Sequence, residues 1–209
     1  GAMIRKNDSV TYEGGLYALQ KQSQLSIHIG GKTALSYLGK SHYLDLSNSK
    51  VSLFGYHGEN LPKWFKNHNW NQKIDFYTTS FLPAYLGLIE MDFKTFSLQF
   101  SGAARAMMEC LYLAPKTQQL FECYELMEGL NNLRPDLVQQ LLEECASIKV
   151  KRLFLYLAEK INHQWMAFID LDKIDLGSGK RLIVKNGIYN PKYQITIPHE
   201  IANSENSEL

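Results

Sequence analysis

The chain has 209 residues, of which 45% are hydrophobic, 12% aromatic and 21% charged, with a formal net charge of +1. That length suits one larger domain or two small ones and that apolar share can build a core, which argues against a wholly disordered or fibrous protein. Three cysteines, Cys110, Cys123 and Cys145, form neither a CxxC pair nor an even disulfide set, and no apolar run reaches the roughly 18 to 20 residues of a membrane span, so a cytoplasmic protein with no membrane contact is expected.

Gly1-Ala2-Met3 reads as a cloning scar before an initiator methionine. Asp8 or Ser9 can cap a helix over residues 10–21 with Tyr12, Leu16 and Leu19 on one stripe. Leu25 to Ile29 alternates as a short strand, and Gly30-Gly31 opens a helix over 32–38. Val51 to Phe54 and Ile74 to Thr78 read as strands around a short helix started by Pro62. Gly87 to Phe93 and Thr95 to Phe100 read as a hairpin leading into a helix over 103–113. The second half turns helical, with segments over 117–129 and 134–145 and a third capped by Ser147. In that third helix Val150, Leu153, Phe154, Leu157 and Ala158 make the apolar stripe, with Lys149, Lys151, Arg152 and Lys160 largely elsewhere. Leu182 to Lys185 and Tyr193 to Ile197 look like strands, and the polar segment from His199 is expected to fray. The predicted fold class is α+β, a small sheet with short helices followed by a helical block and a short β segment.

Charge is segregated along the chain. Residues 1–116 hold 12 Lys/Arg against 8 Asp/Glu, a net of +4; residues 117–148 hold 1 against 6, a net of −5. Residues 149–192 hold 9 against 4, a net of +5, and three acids follow without a base. The basic block supplies a candidate surface for an anionic partner, made of Lys149, Lys151, Arg152, Lys180, Arg181, Lys185 and Lys192. The alternative is a solvated face paired with the acidic block.

Local chemistry gives little support for an enzyme. The six histidines show neither HxxxH nor HExxH spacing, so no metal site is expected. Gly177-Ser178-Gly179-Lys180-Arg181 suggests a phosphate loop, but Ile174 stands where its first glycine should be and Arg181 where a magnesium-binding hydroxyl should be. A tight basic turn is the better reading, and no cofactor is expected. Asp75 on one strand with Asp92 and Lys94 on a later, adjacent one would suit a magnesium-dependent nuclease, a reading set against charged residues on a solvated sheet face. Trp64, Phe65, Trp70, Phe76, Tyr77 and Phe81, in a stretch that also carries Lys63 and Lys73, could stack bases, or fill a core.

The order of phrases is more specific. Asp8-Ser-Val-Thr-Tyr-Glu-Gly-Gly-Leu-Tyr-Ala-Leu-Gln20, His28-Ile-Gly-Gly-Lys-Thr-Ala-Leu35, Val51-Ser-Leu-Phe-Gly55, Leu61-Pro-Lys-Trp-Phe65 and Thr78-Thr-Ser-Phe-Leu-Pro83 follow one another. Tyr124-Glu-Leu-Met-Glu-Gly129, Leu133-Arg-Pro135, residues 150–159, Ile174-Asp-Leu-Gly-Ser-Gly-Lys-Arg181 and Pro191-Lys-Tyr-Gln-Ile-Thr-Ile-Pro198 continue the series. From Ile4 to Pro198 the chain resembles the AbiEi antitoxins of type IV toxin–antitoxin systems. The resemblance implies a non-enzymatic bacterial regulator that counters an AbiEii-like nucleotidyltransferase toxin without a stable complex with it. It also implies autorepression through promoter DNA bound by an N-terminal winged helix-turn-helix. RNA or a nucleotide could be met at the basic surface. The domain expectation is a tag and wing remnant over 1–8, an antitoxin domain over 9–198 with a mixed part (9–101) and a mainly helical part (102–198), and a flexible tail over 199–209. With most of the winged helix expected to be missing, this chain should not read operator sequence. Arg105, Gly177, Gly179 and Tyr193 are the family-motif residues. In the Ser101-Gly-Ala-Ala-Arg-Ala106 phrase Arg105 is kept, while Ala104 stands where family members carry glutamate.

Overall fold

The computed structural model describes residues 11–40, 50–93 and 95–204. The expected caps Asp8 and Ser9, and Lys94, lie outside the described residues. The chain divides into two compact units, Gly1–Gly102 and Ala103–Leu209.

The first unit is built on one mixed five-stranded sheet. Its elements are α1 (Tyr12–Tyr17), continued by a π turn over Ala18–Gln22, then β1 (His28–Ile29), α2 (Gly31–Tyr37), β2 (Val51–Tyr56), α3 (Lys63–Asn67), β3 (Ile74–Thr79), β4 (Leu88–Phe93) and β5 (Phe96–Ser101). Strand order is β3-β2-β1-β5-β4, with β1 antiparallel to β2 and parallel to β5. Leu16, Leu19, Ile27, Ile29, Leu35, Leu53, Leu98 and Phe100 are buried and form the core. Burying each such side chain contributes about 1.5–3 kcal/mol of transfer free energy.

Two polar residues shape the middle of this sheet. The expected strand from Leu25 shrinks to β1 because the Ser26 N–H is captured by Glu59 Oε1 at 2.6 Å and the Ser26 hydroxyl donates to Glu59 Oε2 at 2.7 Å. Glu59 Oε2 also accepts from the Tyr56 N–H at 2.8 Å, so one carboxylate joins the entry to β1 to the end of β2. Gln20, buried on the π turn, donates to the Ile27 and Gln99 carbonyls at 2.9 and 3.2 Å and accepts from the Gln99 N–H at 3.0 Å. A side-chain amide thereby extends the β1–β5 pairing beyond the short strand and satisfies buried backbone groups.

The second unit holds α4 (Ala103–Leu113), α5 (Leu120–Glu128), α6 (Pro135–Glu144), α7 (Ile148–Lys160), the hairpin of β6 (Ile188–Asn190) and β7 (Ile195–Ile197), and α8 (His199–Ala202). Pro135 occupies the first turn of α6, where its missing N–H costs nothing. The Ser147 hydroxyl accepts from the Val150 N–H as the N-cap of α7. The α7 helix is buried over Val150 to Ala158, including Lys151 and Arg152, so the expected single stripe is corrected to a helix enclosed on nearly all sides.

Two further expectations are corrected here. Residues 182–185 form no strand, because the Thr196 hydroxyl accepts from the Ile183 and Val184 N–H groups at 2.9 and 3.3 Å and donates to the Val184 carbonyl at 3.1 Å. Just before them, Arg181 meets β7 in a parallel bridge to Ile195. The segment from His199 does not fray at once: it forms α8, anchored by the buried Ile201 and by Lys160 Nζ, which donates to the Ala202 and Ser204 carbonyls at 3.1 and 2.8 Å.

Candidate functional site: a basic segment held by a buried arginine

The cations of the basic block separate into a structural set and an exposed set. Arg152 is buried and carries no carboxylate partner in its hydrogen bonds. Its guanidinium donates to the carbonyls of Leu176 (2.8 Å), Gly179 (2.7 Å), Gly177 (3.1 Å) and Gln194 (3.3 Å). Four backbone oxygens are thus gathered by one rigid fork, which a lysine could not reproduce. Burial, and then the nearby Arg181 charge, pull the Arg152 pKa below its usual value, and guanidinium still stays protonated at any ordinary pH.

Lys151 is also buried, with Nζ donating to the Asp175 carbonyl at 2.8 Å. Lys149 Nζ donates to the Tyr112 and Ala114 carbonyls at 2.7 and 2.6 Å, placing a cation on the C-terminal end of α4, where the helix dipole favours it. Burial lowers the Lys149 pKa, and Lys116 adds to the effect. Lys192 is paired with Glu159 and lies 5.4 Å from the centre of the Tyr193 ring. Lys151 and Arg152 are therefore removed from the expected surface, because both are internal fasteners. Lys149 acts mainly as a helix-end fastener.

Among the described residues, the exposed cations of the block that no carboxylate engages are Lys180, Arg181 and Lys185, three within six residues. Three devices hold their segment. Arg152 grips residues 176–179 from inside. The Arg181 N–H donates to the Gln194 carbonyl at 2.8 Å and its carbonyl accepts from the Thr196 N–H at 3.2 Å. The Thr196 hydroxyl fixes residues 183–184. Gly177 and Gly179 both have positive φ, +62° and +78°, so the glycines serve the turn's backbone. The turn is not followed by a helix, so it lacks the aligned N–H groups of a phosphate loop. Tyr193 is buried in this unit, and its phenol is pushed far above its ordinary pKa by burial and then by Glu159.

Arg105 is buried too, and its Nε donates to Glu109 Oε1 at 2.9 Å one turn along α4. The motif arginine thus meets a carboxylate at Glu109, although Ala104 lacks one. An i, i+4 spacing on a helix was the available signal for this pair.

The nuclease arrangement is not assembled. β3 and β4 are the two outer strands of the five, so Asp75 and Asp92 stand four strand spacings apart, roughly 19 Å at about 4.8 Å each. Asp75 instead lies 3.8 Å from Lys50 Nζ, and Asp92 accepts from the Ser97 hydroxyl at 2.8 Å. Among the described residues no group of three His, Cys, Asp or Glu could hold a metal ion, and no helix is long and apolar enough to cross a membrane. Of the aromatic stretch, Phe65 and Phe81 are buried and Trp70 Nε1 donates to the Phe65 carbonyl at 2.9 Å, as core residues would.

The chain shares its fold with the crystal structure of the RV2827C protein from Mycobacterium tuberculosis, at a TM-score of 0.59 over 90% of this chain and 68% of that one. At 11% identity the likeness speaks for the fold alone. No curated protein sequence matches. A family model described as a transcriptional regulator, AbiEi antitoxin of a type IV TA system, matches residues 48–198, and one described as the AbiEi antitoxin N-terminal domain matches residues 1–46. The chain belongs to the AbiEi antitoxin family of transcriptional regulators in type IV toxin–antitoxin systems. The two matched segments share one sheet: β1, from the first, lies between β2 and β5, from the second.

Proposed function

We propose that this protein is the antitoxin that counteracts an AbiEii-like nucleotidyltransferase toxin, working without enzymatic turnover and without a stable complex with that toxin. It also represses its own operon at promoter DNA. Residues 9–198 act as the antitoxin domain, in the cytoplasm, and the working surface is the exposed segment carrying Lys180, Arg181 and Lys185. The observation that carries this reading is the family match over residues 48–198, which contains the whole of that segment. The outward cations on a segment fixed by Arg152 and Thr196 support the choice of surface, since a pre-ordered surface loses little conformational entropy on binding.

The experiment is co-expression with the toxin encoded beside it. Restored growth, with the two proteins separating on affinity purification, is the expected outcome. Continued growth arrest would end the antitoxin assignment, and stoichiometric co-purification would favour a scaffold that binds the toxin directly.

A further inference from the structure

Between Leu176 and His199 the sequence contains Lys180, Arg181, Lys185 and Lys192 and no Asp or Glu. Lys192 is taken by Glu159, which leaves three exposed cations on one short stretch with no acid of its own. Exposed apolar groups lie in the same stretch: Leu182 is 68% exposed, Tyr189 38% and Ile188 37%. Tyr189 pairs with Thr196 across the β6–β7 hairpin, while the flanking β7 residues Ile195 and Ile197 are buried. Alternation along a strand therefore turns Tyr189 to the outer side, shared with the Thr196 hydroxyl that pins residues 183–184. The Lys180 ammonium lies 5.0 Å from the centre of the Tyr189 ring. A cation and an aromatic face thus occupy one spot, and two more cations lie within five residues along the chain.

We propose that this surface binds a single-stranded nucleic acid, with Lys180, Arg181 and Lys185 on successive phosphates and the Tyr189 ring as a stacking platform for a base. The inference rests on the reading of the exposed basic segment as the working surface. Charge complementarity selects a polyanion. The aromatic ring beside Lys180 selects a nucleic acid over an acidic protein segment, because a base stacks on the ring while its phosphate meets the ammonium. The exposed Tyr189 ring can stack on an unpaired base but not on one already stacked inside a duplex, which selects a single strand over duplex DNA. Arg152 is a positioning residue in this scheme, holding the turn from inside without meeting the ligand.

The test is fluorescence anisotropy of the full chain with a labelled oligouridylate of about 12 nucleotides, against duplex DNA of the same length and against polyglutamate. Binding should weaken with salt at a log–log slope of about −2, as three phosphate contacts to a single strand require. Tyr189→Ala should weaken it about tenfold and Tyr189→Phe should not. Reversal of all three cations to Glu should abolish binding with the unfolding temperature unchanged. Absence of oligouridylate binding at about 100 μM, equal binding of the duplex, or equal binding of polyglutamate with Tyr189→Ala silent would overturn the single-strand assignment. Growth rescue scored on the same variants separates the two levels: a triple reversal that loses rescue while the wild type ignores RNA overturns the ligand alone. A triple reversal that keeps rescue overturns the surface.

Discussion

Arg152 Nη1 donates to the carbonyl of Gly179 at 2.7 Å, so a buried cation on α7 fixes the backbone immediately before Lys180, the first of the exposed cations. Basic residues close in sequence thus divide between supporting a surface and forming it. Arg152→Met should cost about 3 kcal/mol, because several carbonyls lose their donor together, and Arg152→Lys should recover only part of that. Urea unfolding of the two variants measures it; a loss below about 0.5 kcal/mol would show that the grip is unimportant.

The turn glycines make a graded prediction. A methyl group at Gly177 would sit 3.1 Å from Ile148 at a φ of +62°, whereas at Gly179, at +78°, nothing lies within 4 Å. Gly179→Ala should therefore cost about 1 kcal/mol from backbone strain alone, and Gly177→Ala distinctly more. Equal midpoints for the two variants in thermal unfolding would contradict the packing role of Ile148.

Arg105 and Glu109 form a buried pair, so either single substitution should be expensive and the two should not add. Arg105→Leu and Glu109→Leu should each cost about 3–5 kcal/mol. The double variant should lose less than their sum by about 1–3 kcal/mol in a double-mutant cycle. Additive losses would mean that the two groups act independently.

Acid should destabilise the second unit through His163. This buried ring meets the Met127 carbonyl through Nε2 at 2.8 Å and stacks on Trp165, whose Nε1 donates to the Leu130 carbonyl at 2.8 Å. Burial lowers the His163 pKa below its ordinary 6.5, so the unfolded chain takes up a proton more readily than the folded one. Its contribution to stability is complete above about pH 6.5 and is lost as the pH falls toward the depressed folded value, at no more than about 1.4 kcal/mol per pH unit. Urea midpoints from pH 7.5 to 5.5 should fall less in His163→Gln than in the wild type.

The long elements were legible because packing and local signals agree in them. Residues 103–113 form α4 within the bounds that periodicity suggests, and Ser147 starts α7 as a cap should. Departures occur where side chains stand in for backbone partners. Glu59 shortens β1, Gln20 prolongs its pairing, and Thr196 prevents residues 183–184 from joining the hairpin. Each acts over a sequence separation that no local pattern encodes. The basic block shows the same limit: composition counts charges, but whether Lys151 faces water depends on what α7 packs against. Asp75 and Asp92 were separated by strand order, which follows from β1 and β5 pairing in parallel between them. Family phrases carried the functional reading furthest, since their order survives where single residues are ambiguous.

Growth rescue by the Lys180→Glu, Arg181→Glu, Lys185→Glu triple variant in cells expressing the toxin tests the working surface most directly. All three side chains are exposed, so the variant should keep the wild-type unfolding temperature. We expect it to accumulate normally and fail to restore growth, while Lys192→Glu, at a residue already paired with Glu159, retains at least partial rescue. Full rescue by the triple variant at wild-type protein levels would contradict the claim that this segment is the working surface of the antitoxin.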